Sequence, residues 1–225
     1  MSEINPILIV AVVFAVVILV GVVGFLQERK RRQAFEALAS RLGLSYRKRD
    51  PAIAQRYDFL DKLRQGHKRY AFNILDGNYQ DYPVCVFDYH YETYSTDSKG
   101  RRQTHHHYFS FFVLDQDRTF PELRIYPEGL LSKLGQMMGF DDIDFESVEF
   151  SKAFVVRSKD KKFAYDVCHT GMMTYLLDHR DLSIEIEGRA VSLSFDRRLK
   201  PEQIEPRLRQ LLEIRSLFPE YLYRG

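Results

Sequence analysis

The chain has 225 residues, a formal net charge of +2, two cysteines, and 17 Phe and 14 Tyr but no Trp. So small a positive excess excludes a whole-molecule field that gathers nucleic acid. Cys85 and Cys168 are too few for a disulfide framework at this length and suit a reducing compartment, as buried apolar side chains.

Residues Ile7 to Leu26 carry no charged or polar side chain, and Glu28, Arg29, Lys30, Arg31 and Arg32 follow almost at once. A helix crossing about 30 Å of hydrocarbon needs roughly 20 apolar residues, so residues 7–26 are expected to span a lipid bilayer. A cleaved secretory signal needs positive charge before a shorter core and a small-residue cleavage site after it, and all three are missing. Because Lys and Arg beside a span stay on the cytoplasmic side, the N-terminus is expected outside and everything after Gln27 inside, in a bacterial inner membrane crossed once. The basic flank Arg29, Lys30, Arg31 and Arg32 is expected to attract anionic lipid headgroups at about 1 kcal/mol per charge. Ala11 and Ala15 have the spacing that lets two such helices approach.

The helical period continues past the span through Phe35, Leu38, Ala39 and Leu42, and Gly43 reads as its stop. Leu44 to Arg47 is expected as a short strand, and Asp50-Pro51 as the N-cap and first residue of a brief helix toward Tyr57. From Lys68 the pattern becomes β. Tyr70, Phe72 and Ile74 alternate with polar neighbours, and Asp76-Gly77-Asn78 reads as the turn. The return strand, Tyr82 to about Tyr94, puts Cys85, Phe87, Tyr89 and Tyr91 on one face and Val84, Val86, Asp88, His90 and Glu92 on the other. A polar loop, Ser95 to Gln103, leads to a strand over Thr104 to Leu114, and a separate one runs from Leu123 to Tyr126.

Further on, Leu130 to Met138 is expected to be helical and to end at Gly139, and Ala153 to Arg157 to be a strand. Phe163 to Leu177 has helical spacing interrupted by Gly171. Leu182, Ile184 and Ile186, then Val191, Leu193 and Phe195, are two period-2 runs around Gly188-Arg189 and read as a hairpin. The last helix begins near Pro201 and presents Ile204, Leu208, Leu211, Leu212 and Arg215 on one face. The fold class expected is α+β: a transmembrane helix, then a mainly antiparallel sheet with flanking helices and a C-terminal amphipathic helix. The divisions are 1–27 for the anchor, 28–43 for a basic juxtamembrane helix and 44–225 for a cytoplasmic domain, with a sub-boundary near 141–151 as the alternative to one unit.

Phe35 to Leu44, Phe87-Asp88-Tyr89 with Tyr91-Glu92-Thr93, Pro121-Glu122-Leu123, Pro127-Glu128 and Gly139 to Phe145 resemble segments of bacterial single-pass membrane proteins of unknown function. The resemblance implies an anchored α+β domain and supplies no catalytic residue.

Chemistry-bearing clusters are few. On a strand, His105 and His107 share a face, and a suitable register sets them opposite His90 and Glu92, a set that suits Zn²⁺. A one-residue slip moves half of these groups away, and the loop does not reveal the register; the alternative is a solvated strand end. Asp141, Asp142, Asp144 and Glu146 crowd carboxylates together, but the spacing lacks the EF-hand glycine and closing glutamate, and alternation with Ile143 and Phe145 indicates an exposed edge. Cys168 and His169 are sequence neighbours, which diverge on a helix and do not form a nucleophile–base pair. Arg101-Arg102 beside His105 to Tyr108 mixes cations and aromatics, yet Glu92 and Asp97 lie close, so a polar loop is expected and no nucleic acid. GxSxG, GxxxxGK[ST] and GxGxxG are absent.

No catalytic, cofactor-binding or metal residue is therefore assigned, and no cofactor is implied. The function expected is a membrane-anchored cytoplasmic interaction or scaffold domain with an unidentified protein partner, its contact surface including Tyr89, Tyr91 and Tyr94. The alternative is a metal-dependent enzyme or ligand-binding module using His90, Glu92, His105 and His107. Recognition of anionic lipid at the bilayer surface is a third reading.

Overall fold

A computed structural model describes residues 6–130 and 142–224. The expected helix from Leu130 to Met138, its stop at Gly139, and Asp141 lie outside the described residues, apart from Leu130 at the end of a 3₁₀ turn.

Helix α1 (Pro6–Leu42) is continuous for 37 residues, about 55 Å at 1.5 Å per residue. Within Val12–Leu42 it contains a stretch apolar and long enough to cross a membrane, and none of that most apolar window is buried in the protein. Its last turns change character: Phe35, Leu38 and Ala39 are buried in the domain core. Gly43 ends it in the left-handed region, φ +71°, where L-residues pay a steric cost. Leu44 N–H then donates to Ala39 C=O at 2.9 Å and Gly43 N–H to Ser40 C=O at 3.4 Å, which satisfies carbonyls the helix leaves open.

Strands β1 (Ser45–Asp50), β2 (His67–Tyr79), β3 (Tyr82–Thr96), β4 (Arg102–Pro127) and β5 (Phe154–Ser158) pair in that order, and β6 (Ser183–Phe195) pairs with β4 along its other edge. Every pairing is antiparallel. Helices α2 (Pro51–Arg56) and α3 (Asp61–Arg64) cover one face, over a core containing Tyr57, Phe87, Tyr89 and Phe111. The end of α1 and the helices α4 (Val148–Ala153), α5 (Lys161–Val167), α6 (Thr170–Asp178) and α7 (Pro201–Ser216) share the larger core on the other face. As expected, Asp50 caps α2, its carboxylate accepting from Ala52 N–H at 2.8 Å. The two faces of β3 divide as their alternation requires, Val84 and Val86 into the larger core and Cys85, Phe87 and Tyr89 into the smaller.

Five sequence expectations are corrected. The β2–β3 turn is Gln80-Asp81, both at positive φ (+50° and +68°), and Asp76-Gly77-Asn78 stays within β2, paired with Cys85, Val84 and Pro83. This places Tyr79 in the core, where burial outweighs the better turn chemistry upstream. Asn73, φ +50°, makes a bulge in β2, so Ile74 enters the smaller core instead of sharing a face with Tyr70 and Phe72. The expected strands at Thr104–Leu114 and Leu123–Tyr126 are parts of one 26-residue strand.

The supposed hairpin around Gly188-Arg189 is also one strand. Ile184 and Ile186, and then Val191, Leu193 and Phe195, all enter the larger core although their numbering changes parity. Gly188, φ +58°, takes up the extra residue opposite an irregular stretch of β4. The expected helix over Phe163 to Leu177 is two, α5 and α6. At the break His169 Nδ1 accepts from Gly171 N–H at 3.1 Å while Nε2 donates to Leu217 C=O at 2.8 Å.

Candidate functional site

Alternation along β3 sets Asp88, His90 and Glu92 in a row on the face that meets α1, and each is almost fully buried. Asp88, 1% exposed, accepts hydrogen bonds from Arg31 of α1 at 2.7 Å, Asn73 Nδ2 at 2.9 Å and Ser110 Oγ at 2.8 Å, and forms an ion pair with Arg198 at 3.4 Å. Arg198 also reaches Glu28 of α1 at 2.7 Å. The helix leaving the apolar segment is thus clamped to the sheet by a two-arginine, two-carboxylate network centred on buried Asp88, with Glu28 at its exposed edge. Arg31, expected to face lipid headgroups, is committed to this clamp.

One step along β3, His90 lies between the rings of Tyr70 and Tyr108, centroids 4.6 and 4.8 Å away. Its Nε2 is 3.0 Å from His106 Nδ1, and its own Nδ1 is buried without a complete hydrogen bond. Burial holds its pKa below the ordinary histidine value. Glu92 meets Lys68 Nζ at 3.1 Å, the Tyr94 hydroxyl at 3.1 Å and His106 Nδ1 at 3.7 Å. Burial opposes its charge, but hydrogen bonds from Lys68 and Tyr94 outweigh that and keep its carboxyl below the usual range. Backbone shape makes the approach possible. Gly66, φ +66°, passes so close to Glu92 that a Cβ there would lie 2.5 Å from the Glu92 carbonyl oxygen, and Lys68 is itself left-handed at φ +49°.

The three side chains His90, Glu92 and His106 bring one ligand atom each within 4.8 Å of one another. Ligand atoms at the corners of a zinc tetrahedron with bonds of about 2.0–2.1 Å are about 3.3 Å apart, close to the 3.0 and 3.7 Å separations here. The residue that completes the set is His106. The expectation that His105 and His107 converge with His90 and Glu92 is corrected by the register, which sets Glu92 opposite His106 and His90 opposite Tyr108. His107 faces the other way, stacked on Tyr91 at 4.6 Å with Nε2 at 2.7 Å from Thr93 Oγ1. His105 Nε2 lies 2.7 Å from Ser95 Oγ. A turn at the hairpin tip, in which Asp97 N–H donates to Arg101 C=O at 2.9 Å, fixes this register.

Other candidates resolve into structural roles. Tyr89 is fully buried and donates to Leu63 C=O at 2.8 Å, so it is not a contact surface; Tyr91 and Tyr94 are half-buried, and Tyr108 is exposed. Both cysteines are buried, and burial pushes their thiols up, away from thiolate chemistry. Asp142 pairs with Arg157 at 2.7 Å and Ile143 enters the core. Arg101 is held by Asp97 at 2.9 Å, and Arg102 lies 3.5 Å above the Tyr94 ring.

Sequence reading missed the buried carboxylate Glu185, which lies between Ile184 and Ile186 on β6 and reads as an outward residue. It accepts from the Tyr126 hydroxyl at 2.7 Å and Lys62 N–H at 3.2 Å. Burial raises its pKa, and Tyr126 is driven well up by the same burial beside it.

No family model matches the chain, and no curated protein matches it. Among solved structures its fold is similar to the crystal structure of the mycobacterial trehalose monomycolate transport factor A, TtfA, with a TM-score of 0.59 over 85% of this chain and 97% of that one, at 12% sequence identity.

Proposed function

We propose that this chain is a membrane-anchored interaction domain, held on the cytoplasmic side of the inner membrane, that serves as an accessory factor of a transport assembly. The clamp supports this reading. A domain joined to its span by one unbroken helix, and locked by Asp88 to Arg31 and Arg198, presents its surface at a fixed height and angle to neighbouring membrane proteins. Likeness of fold to a transport factor supports the kind of process. The exposed Tyr108, on the sheet end beside the histidines, supplies a large amphipathic contact at little entropic cost. Photocrosslinking in intact membranes tests it. A crosslinker at Tyr108 is expected to give one discrete adduct with an integral membrane transporter, weakened by Asp88→Ala. Equal adducts from Tyr108 and from Tyr165, or none while the chain stays in the membrane, reject the reading.

The spacing of His90, Glu92 and His106 favours a second reading, a site for a borderline metal such as Zn²⁺. Lys68 would have to leave Glu92 for a cation to enter. Tag-free full chain equilibrated with Zn²⁺ is expected on this reading to retain about one equivalent, lost in His106→Ala; under about a tenth of an equivalent rejects it.

A further inference from the structure

A groove of about 300 Å³ opens where the apolar helix meets the sheet, between Phe25 and Arg32 of α1, Lys48 and Arg49 of β1, and Tyr70 and Phe72 of β2. Its other polar lining groups are already engaged, Glu28 by Arg198 at 2.7 Å and Asn73 by Asp88 at 2.9 Å. Among the described residues no carboxylate lies within ion-pair distance of Arg32, Lys48 or Arg49. Arg49 instead lies 4.0 Å above the Tyr70 ring. The groove therefore combines three unmatched cations with three aromatic rings.

Its height relative to a bilayer follows from α1. Arg32 is six residues past Leu26, the end of the apolar run, or about 9 Å of helix. The polar zone of one leaflet is about 5–7 Å deep, and Lys and Arg side chains reach several ångströms back toward it. Phe25 lies within the apolar run, with its ring exposed. A cavity spanning Phe25 to Arg32 accordingly opens at headgroup level, aromatic toward the hydrocarbon and cationic toward water.

We propose that this groove seats an anionic phospholipid of the adjacent leaflet, its phosphate held by Arg32, Lys48 and Arg49 and its glycerol and upper acyl carbons against Phe25, Tyr70 and Phe72. Guanidinium forks match phosphate oxygens in pairs, and Lys adds a point charge. A choline headgroup brings a fourth cation into the same space and is disfavoured. The site differs from a general attraction by the basic flank, because two of its cations come from a strand about 20 residues away in sequence. It rests on the anchored reading of α1.

Native mass spectrometry of the full chain in neutral detergent, with equal phosphatidylglycerol and phosphatidylcholine added, tests the assignment. Before any lipid is added, the chain must require detergent; recovery in the soluble fraction without it fails the anchor reading and the proposal with it. Retained phosphatidylglycerol is expected to exceed phosphatidylcholine. At about fivefold per cation near the surface, the double variant Lys48→Gln/Arg49→Gln is expected to lower that preference about 25-fold. Arg29→Gln/Lys30→Gln removes the same charge from α1 outside the groove, and because neither side chain lines it the preference is expected to fall by clearly less than in the groove variant. Circular dichroism of each variant shows that the fold is intact. Equal losses in the two variants, no preference in the parent chain, or displacement of the lipid by millimolar inorganic phosphate overturns the proposal, the last by assigning the groove to free phosphate.

Discussion

At the scale of single residues, stability is concentrated in a few buried charges. Asp88 has two arginines and two neutral donors directed at it, so Asp88→Ala leaves Arg31 without its carboxylate and Arg198 with Glu28 alone, and is expected to cost about 1.5–3 kcal/mol in denaturant unfolding of the solubilised chain. Asp142→Ala breaks the solvent-facing pair with Arg157 and is expected to cost no more than about 1 kcal/mol. Glu185 behaves oppositely to a salt-bridged acid, since burial raises its pKa in the folded state. As pH rises through the ordinary carboxyl range, the unfolded chain loses this proton while the folded chain keeps it. Glu185 therefore contributes a fall in stability from that range up to its raised folded pKa. Glu185→Gln keeps the acceptor for Tyr126 and removes the charge, so the gap in melting temperature between variant and parent is expected to move in the variant's favour from pH 4 to pH 8. A constant gap across that range means that Glu185 is not a desolvated charge. The residues of the candidate site were legible as a type but not as a set. Sequence showed a His run near a His-x-Glu strand, but which histidine faces inward depends on a turn whose register is fixed by Asp97 and Arg101.

At the scale of elements, the strands were legible wherever period-2 alternation ran unbroken, as along β3, and misread wherever a left-handed residue shifted the parity. Gly188 and Asn73 are the two cases: each leaves the apolar residues correctly identified as core but changes which strand or face they belong to. A parity change between two apolar runs is the common signature of a hairpin and of a bulge, and only the presence of a long enough partner such as β4 decides between them. The breaks in the α5–α6 segment escaped for a similar reason, because a His side chain served as the cap where Ser, Asn or Asp is usual. Glycines at these points differ in what they tolerate. At Gly188 a Cβ meets nothing within 4 Å, so Gly188→Ala is expected to cost only the left-handed backbone, about 1–2 kcal/mol. At Gly66 the same backbone penalty is joined by a Cβ 2.5 Å from the Glu92 carbonyl oxygen, and Gly66→Ala is expected to cost about 1–3 kcal/mol more, read as a lower denaturation midpoint. Equal costs at the two positions contradict the close approach of the Gly66 backbone to Glu92.

At the scale of the whole molecule, the decisive property is the continuity of α1 from the apolar run into the core. Thirty-seven residues form one helix whose end is buried through Phe35 and Leu38 and whose middle is pinned by Arg31, leaving no flexible joint between span and sheet. A tether of similar length without helix would let the domain sample many heights above the membrane. On the anchored reading proposed above, the clamp confines it to one, and both the interaction reading and the lipid groove need that confinement. Spin labels at Val23→Cys and Tyr165→Cys, both exposed positions, measure it in reconstituted full chain, since buried Cys85 and Cys168 have raised thiol pKa values and resist labelling. The inter-label distance distribution is expected to be narrow in the parent chain and to broaden in Arg31→Ala, while Arg224→Ala, which loosens a pair with Glu220 near the C-terminus, leaves it unchanged. A flexible Gly-Ser insertion after Gln27 sets the upper limit of breadth. If the parent distribution is as broad as that of the insertion variant, span and domain move independently, and a surface presented at fixed height no longer accounts for the arrangement of Asp88 and its arginines.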